Sequence, residues 1–289
     1  SETPASVTVI DQEMIRASGM RTVEDLLRLV PGFQVTSHNQ DPAIVAYHGM
    51  GYGLSSEEYG PRVQVLVDGR SQYSPLFKSG VNWNLLPVAL ENIERIEVIR
   101  GSNTVSYGSN AFMGVVNIIT RPEVGTRAHK LSAGAGSHNE RQLDWSSATT
   151  VGAAGQLKGA AGLQQEDGYN AHPVPGVNDG DEHGYQGYNA MLDYQQAVHP
   201  DLSLFSTARW FRNQAQYDNS YAGSWGSQHQ RKETWSENQS YTLGGRYQRG
   251  GYQSELQGNY GREDLYNYVD SSSRDEAQDR TYIRQYNLS

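Results

Sequence analysis

Apolar and polar residues follow two different rhythms along this chain, and the rhythm changes near residue 125. In the first part the periods are mixed. Val7-Thr8-Val9-Ile10 predicts a short strand, and Asp11 can cap a short helix that ends near Ser18-Gly19. Thr22-Val23-Glu24-Asp25 has the form of a capping box, with Asp in place of the usual Glu. Val23, Leu26, Leu27 and Val30 then fall on one helical face, and Pro31-Gly32 stops that helix. Val63, Val65 and Val67 alternate up to Asp68-Gly69, a strong hairpin-turn pair. Ile93, Ile96, Val98 and Ile99 form another strand that closes at Arg100-Gly101, and Val115 to Thr120 form a last one. Short strands with two or three short helices predict a small α+β domain over residues 1–125.

From 126 to 289 the period is 2. Tyr241, Leu243, Gly245 and Tyr247 alternate with Thr242, Gly244, Arg246 and Gln248. Tyr188, Ala190, Leu192 and Tyr194 alternate with Asn189, Met191, Asp193 and Gln195, and Tyr252, Leu256 and Tyr260 with Gln253, Glu255, Gln257 and Asn259. One face is apolar with aromatic ends; the other is too rich in Gln, Glu, Asp and Arg to be buried dry. Lipid outside and water inside satisfy both faces, as in a transmembrane β-barrel. Strands are expected at 128–136, 140–149, 155–166, 185–197, 202–213, 237–249, 251–263 and from 281. The links at 151–154, 199–201 and 250 are short, whereas those at 167–184, 214–237 and 264–280 are long. Barrels alternate short periplasmic turns with longer outer loops in this way; the short link near Ser137-His138-Asn139 is the exception. The fold class is therefore mainly β: a small α+β domain followed by antiparallel strands of a membrane barrel.

Composition agrees. Mean hydropathy is −0.69, and no run of about 18 apolar residues exists to form a spanning helix; a β-barrel stays open, since its strands average out as polar. The 19 Tyr and 5 Trp against 5 Phe suit a membrane–water interface. A net charge of −9 excludes a nucleic-acid partner, because phosphate binding needs a basic face. With no Cys, there is no disulfide framework, thiolate nucleophile or thiolate-bound metal. No Ser/His/Asp arrangement has supporting spacing, and Asp, Glu and His are plentiful but scattered, so the chain does not read as an enzyme. Foldable sequence begins at once, so a processed or trimmed N-terminus is expected.

Several segments of the first part carry a family likeness. They are Pro4 to Asp11, Thr22 to Leu27, Val30-Pro31-Gly32, Val65-Leu66-Val67-Asp68-Gly69-Arg70, Leu90 to Gly101, Tyr107-Gly108-Ser109-Asn110-Ala111 and Gly114 to Thr120. In these residues, and in their order, the chain resembles the plug domain of TonB-dependent outer-membrane receptors. The resemblance implies a plug closing a large barrel, and active transport of a scarce solute powered through TonB of the inner membrane. It puts a ferric siderophore first as cargo; cobalamin, haem, copper or a sugar are alternatives, as is a surface receptor for phage or bacteriocin. A plug of ~120 residues is roughly 35 Å across, and an eight-stranded barrel has room only for side chains. A longer polypeptide is therefore expected to close the barrel. In the family a short motif that binds the energy-transducing partner precedes the plug; none is visible before Thr3.

The resemblance also assigns candidate sites. Arg95, Glu97 and Arg100 are expected to meet the barrel wall. Tyr52, Tyr59, Tyr73, Phe77 and Trp83 are expected at the outward-facing plug apex, as stacking groups for a planar or chelate ligand, with Lys78 for an anionic one. The family often has Arg-Gly where this chain has His48-Gly49. His48 and Met50 are spaced for a soft metal, but without a third ligand a structural His is the plainer reading. Asn178 to His183 offers carboxylates, Asp179 and Asp181, to Ca²⁺; the spacing is not that of an EF-hand, and a solvated acidic loop is the plainer reading.

Overall fold

Short polar caps and turns delimit the elements of the first part in the computed structural model, which describes residues 6–36, 44–49, 63–74, 80–83, 86–102, 107, 110–120, 128–167, 184–223, 226–271 and 277–288. The chain divides into two compact units, Ser1–Pro122 and Glu123–Ser289.

In the first unit, β1 (Ser6–Asp11) leads directly into α1 (Gln12–Ser18). Asp11 caps that helix by accepting from Met14 N at 2.8 Å, and Gly19 ends it in the left-handed region at φ 65°. Thr22 caps α2 (Val23–Leu26) by accepting from Asp25 N. Its hydroxyl donates back to the Asp25 carboxylate, so Asp substitutes for Glu with a shorter reach. A 3₁₀ turn, Leu27–Leu29, follows, and β2 (Phe33–Thr36) pairs with β3 (Ile44–Tyr47). Next come β4 (Val63–Val67), β5 (Arg70–Ser71), β6 (Tyr73–Ser74), β7 (Gly80–Val81), β8 (Ile93–Arg100) and β9 (Gly114–Thr120).

The main sheet has the order β1-β8-β9-β4-β5. Its pairs are antiparallel except β4 with β9. Val23, Leu26, Leu27 and Val30 are all buried, as their helical spacing predicts, in one cluster with Ile10, Ile93, Ile96, Val98, Val116 and Ile118. Each fully buried aliphatic side chain contributes about 1.5–3 kcal/mol, which makes this cluster the main source of the unit's stability. Asp68 and Gly69 both have positive φ, 49° and 78°, which gives the twist a two-residue hairpin turn requires. The Asp68 carboxylate then accepts from Thr120 N and Oγ1 at 2.8 and 2.9 Å, tying the turn to the end of β9.

The second unit is an eight-stranded antiparallel meander. Its strands are β10 (Ala128–Ala135), β11 (Arg141–Val151), β12 (Gly155–Glu166), β13 (Tyr185–His199), β14 (Leu202–Gly223), β15 (Gly226–Arg249), β16 (Tyr252–Ser271) and β17 (Ala277–Leu288). The expected fold class stands. Tight turns join β11 to β12, β13 to β14 and β15 to β16; Gly152 in the first and Gly250 and Gly251 in the last take positive φ.

Two expected loops need correction. The segment 214–237 is mostly hairpin, its register unbroken from Leu202↔Tyr247 to Gly223↔Gly226. The segment 264–280 is also mostly strand, since β16 runs to Ser271 and β17 begins at Ala277. β15 alone has 24 residues, whereas spanning a bilayer takes about 9–11. Beyond the hydrocarbon both faces of a strand meet water, so polar/apolar alternation ceases while backbone pairing continues.

The register settles which residues share a face. Leu131, Trp145 and Ala161 lie in one cross-strand row, and Leu143, Leu163 and Tyr188 in another. Leu192, Leu204, Leu243, Leu256 and Leu288 belong to the same side, and all five are exposed. The opposite side carries Asp144, Lys158, Asn189, Asp193, Arg209, Asn213, Ser236 and Glu263.

Candidate functional site

Two surfaces carry candidate chemistry: the half-exposed side of β8 with the loops of the first unit, and the polar face of the meander.

On β8, alternation buries Ile96 and Val98 and turns Arg95 and Glu97 to the other side. Arg95 Nε donates to Glu97 Oε1 at 2.8 Å, and Arg95 Nη1 to Glu94 Oε1 at 2.5 Å. Asn117 of β9 donates to the second Glu97 oxygen at 3.3 Å. The Glu97 hydrogen bond, helped by the charges of Glu97 and Glu94, raises the Arg95 pKa further above its ordinary range. Each of these pairs is half-exposed, so each contributes at most about 1 kcal/mol. Arg100 lies on the opposite parity of β8, and its guanidinium donates to Ser6 Oγ. The structure thus brings Arg95 and Glu97 together and places Arg100 apart from them.

Of the apex candidates, Tyr73 opens β6 and is half-buried, next to the buried Ser74. Trp83 corrects an expectation: at 8% exposure it belongs to the hydrophobic cluster under the sheet, so its indole is a packing group. Tyr52, Tyr59, Phe77, Lys78, Met50, Asp179 and Asp181 lie outside the described residues. His48 is a turn residue, with φ 51°. Its backbone N donates to Gly32 O at 2.8 Å, and its ring meets Tyr47 edge-on at 4.3 Å between centroids. A Cβ on Gly32 would come within 2.9 Å of the Tyr47 ring and 3.1 Å of the His48 ring, and Gly32 itself has φ 91°. His48 therefore packs over Gly32 at the open end of the β2–β3 pair. Among the described residues no group of three or more His, Asp or Glu is placed to hold a metal.

Glu24 was not singled out by its spacing. It lies in the first turn of α2 with its side chain buried. Burial pushes its carboxyl up to about 7, against the lowering effect of hydrogen bonds from its own backbone and from Thr22. Its position inside a capping box followed by apolar residues was the available signal.

The polar face of the meander is a continuous ladder. Ser236 donates to Asn213 at 2.5 Å, Thr242 to Asn259 at 2.7 Å and Arg246 to Glu255 at 2.8 Å, while Arg209 lies 4.0 Å from Asp193. Such a face needs water, and the opposite face needs something apolar.

A small α+β unit with this sheet order, followed by an antiparallel meander with one lipid-compatible and one wet face, defines a plug-and-barrel membrane protein. The comparisons agree: residues 1–115 match the TonB-dependent receptor plug domain, and the chain belongs to the TonB-dependent receptor family, whose members are outer-membrane β-barrel proteins. It is a family of receptors and transporters rather than of enzymes. Among curated relatives, a vitamin B12 transporter, BtuB, of Vibrio cholerae is 35% identical over 274 residues, 95% of this chain and 43% of its own length. BtuB of Vibrio vulnificus is 30% identical over 281 residues, 42% of its own length. An iron-regulated outer membrane virulence protein of Vibrio cholerae is 39% identical over 125 residues, 42% of this chain and 18% of its own. The chain thus spans less than half the length of these relatives. Among solved structures, the ferripyoverdine receptor of Pseudomonas aeruginosa superposes with a TM-score of 0.61 at 13% identity, covering 99% of this chain and 49% of that one. The ferric enterobactin receptor PfeA does so at 0.57 and 14%, covering 99% and 59%. At such identities the structures establish the fold alone.

Proposed function

We propose that the full-length protein is an active transporter that carries a scarce solute, too large for passive pores, across the outer membrane, with cobalamin as its cargo. The plug closes the barrel lumen, ligand binds at its outward side, and TonB, powered by the proton-motive force, acts on the plug from the periplasm. The observation carrying this reading is the 35% identity to a vitamin B12 transporter across 95% of the chain, plug and strands alike.

A ferric siderophore, the cargo put first by the sequence, is the second reading. The 39% identity to an iron-regulated outer membrane protein favours it, although that match covers only 42% of the chain. A receptor role for a protein toxin stands beside transport, since a structural neighbour was solved with pyocin S2.

In this scheme Tyr52, Tyr59, Tyr73, Phe77 and Lys78 contact the cargo. Arg95, Glu97 and Arg100 meet the barrel wall, where screened pairs, each individually weak, hold the plug yet let it rearrange. No bond is made or broken in the cargo. Coupling requires that the energy-transducing partner bind the loaded state better than the empty one.

The cargo assignment is tested by titrating the purified full-length receptor in detergent with cyanocobalamin and, separately, with ferric siderophores. Saturable cobalamin binding that siderophores do not displace is expected. Saturable binding of a ferric siderophore without cobalamin binding would replace the first reading with the second.

A further inference from the structure

Asn82 carries a buried polar atom at an apolar place in the first unit. It directly follows β7 and is 5% exposed. Among the described residues its carboxamide oxygen, Oδ1, accepts no hydrogen bond. Its neighbours in the chain are apolar and anchored: Val81 packs against the main hydrophobic cluster, and Trp83, Leu86 and Val88 belong to it. A buried carbonyl oxygen without a donor is unfavourable, and folds keep few of them, so one that persists has a physical reason.

The backbone around Asn82 supplies that reason. Pairing with the main sheet ends just upstream, where β5 pairs with β4 and Gln72 N donates to Val65 O at 2.9 Å. β6 and β7 then form a sheet of their own, with the pairs Tyr73↔Val81 and Ser74↔Gly80. A two-stranded ladder this short is marginal by itself. Downstream the chain is fixed again: Leu86 N donates to Trp83 O at 3.3 Å, Val88 N to Leu86 O at 2.7 Å, and the Trp83 indole is in the core. Asn82 is therefore the junction between a weakly paired ladder and a fixed core. Tyr73, the described cargo contact, stands opposite Val81, one residue from Asn82.

A ligand shifts an equilibrium only by the difference in its free energy of interaction with the two states. A hydrogen bond made equally in the empty and loaded plug adds nothing to that difference. One left unmade in the empty plug and made in the loaded one adds all of it. A small shift of the β6–β7 ladder, drawn by cargo at Tyr73, changes what Asn82 faces while Trp83 holds the chain on its other side.

We propose that Asn82 is a positioning residue for cargo binding: its carboxamide oxygen gains a donor when cargo draws the β6–β7 ladder into the loaded position. Part of the cargo's affinity then comes from a group the cargo does not touch. The assignment rests on the transport reading and on Tyr73 as a cargo contact, and is independent of which cargo is carried.

The test uses the full-length receptor in detergent and two variants. Asn82→Leu keeps the branched shape and removes the polar atoms; Asn82→Asp keeps the acceptor. Two quantities are read: hydrogen exchange of peptides spanning 80–90 without cargo, and the Kd for cyanocobalamin. The Leu variant should exchange about tenfold more slowly, because no unpaired oxygen is buried, and bind cyanocobalamin about tenfold more weakly, because the loaded state gains no bond. The Asp variant should exchange faster than the wild type and bind at least as tightly. A residue that only packs would move stability and affinity in the same direction. Unchanged affinity in the Leu variant overturns the proposal. So does faster exchange in that variant, which would mean that a resident water satisfies the oxygen. If one variant fails to form a heat-modifiable barrel, the other decides, since each has its own expected direction in both readouts. A wild-type receptor that does not bind cyanocobalamin would overturn the cargo reading instead, and the same comparison is then made with the ferric siderophore it binds.

Discussion

Glu24 shows how a single side chain sets a pH response in the plug. Its carboxyl is pushed up to about 7 by burial, from an ordinary value of 4.5. The folded plug therefore holds a proton that the unfolded chain releases, and stability falls as pH rises through the window between 4.5 and about 7. Above that window the penalty is on the order of 3 kcal/mol. Glu24→Gln keeps the shape and removes the charge. Hydrogen-exchange protection of peptides spanning 23–30 in the full-length protein, corrected for intrinsic rates, should fall from about pH 5 to about pH 8 in the wild type and stay flat in the variant. An equal slope in both would exclude Glu24 as its source. This group was hidden in the sequence because a capping box is normally solvated. Trp83 was hidden for the converse reason: an aromatic in a loop reads as a ligand contact until its burial is seen. His48, by contrast, reads as structural from the sequence because Cys is absent and no third ligand accompanies it.

At the scale of the element, period-2 alternation was enough to place eight strands and three tight turns. It stopped short where the strands leave the membrane. Residues 214–223 and 226–236 pair in register, but with water on both faces no alternation marks them. Pairing there rests on backbone hydrogen bonds, which leave no trace in side-chain polarity. The two faces can be told apart by substitution on neighbouring residues of β15. Leu243 is 69% exposed on the apolar face, while Thr242 donates to Asn259 on the polar one. Leu243→Arg should destabilise the barrel in lipid by about 2–4 kcal/mol, as a cation on the lipid face does near the bilayer midplane. Thr242→Arg should cost much less, because it enters a wet lumen. Denaturant unfolding of the full-length protein in vesicles measures both, and equal costs would mean that the faces are assigned wrongly.

For the whole molecule, the family was legible because plug segments recur in a fixed order over most of the first unit. The cargo was not. Aromatic residues in loops suit a corrinoid and an iron chelate equally, and Tyr52, Tyr59, Phe77 and Lys78 lie outside the described residues. The weight toward cobalamin comes from relatives that match plug and strands together. The central claim is energised transport through a plugged barrel, and it is tested most directly by uptake of radiolabelled cyanocobalamin into cells that lack their own receptor and express the full-length protein, with TonB present or deleted. Accumulation above the external concentration, lost on deletion of TonB or on collapse of the proton gradient, is the predicted result. Equal accumulation without TonB, or none by a folded receptor that binds cobalamin, would contradict it.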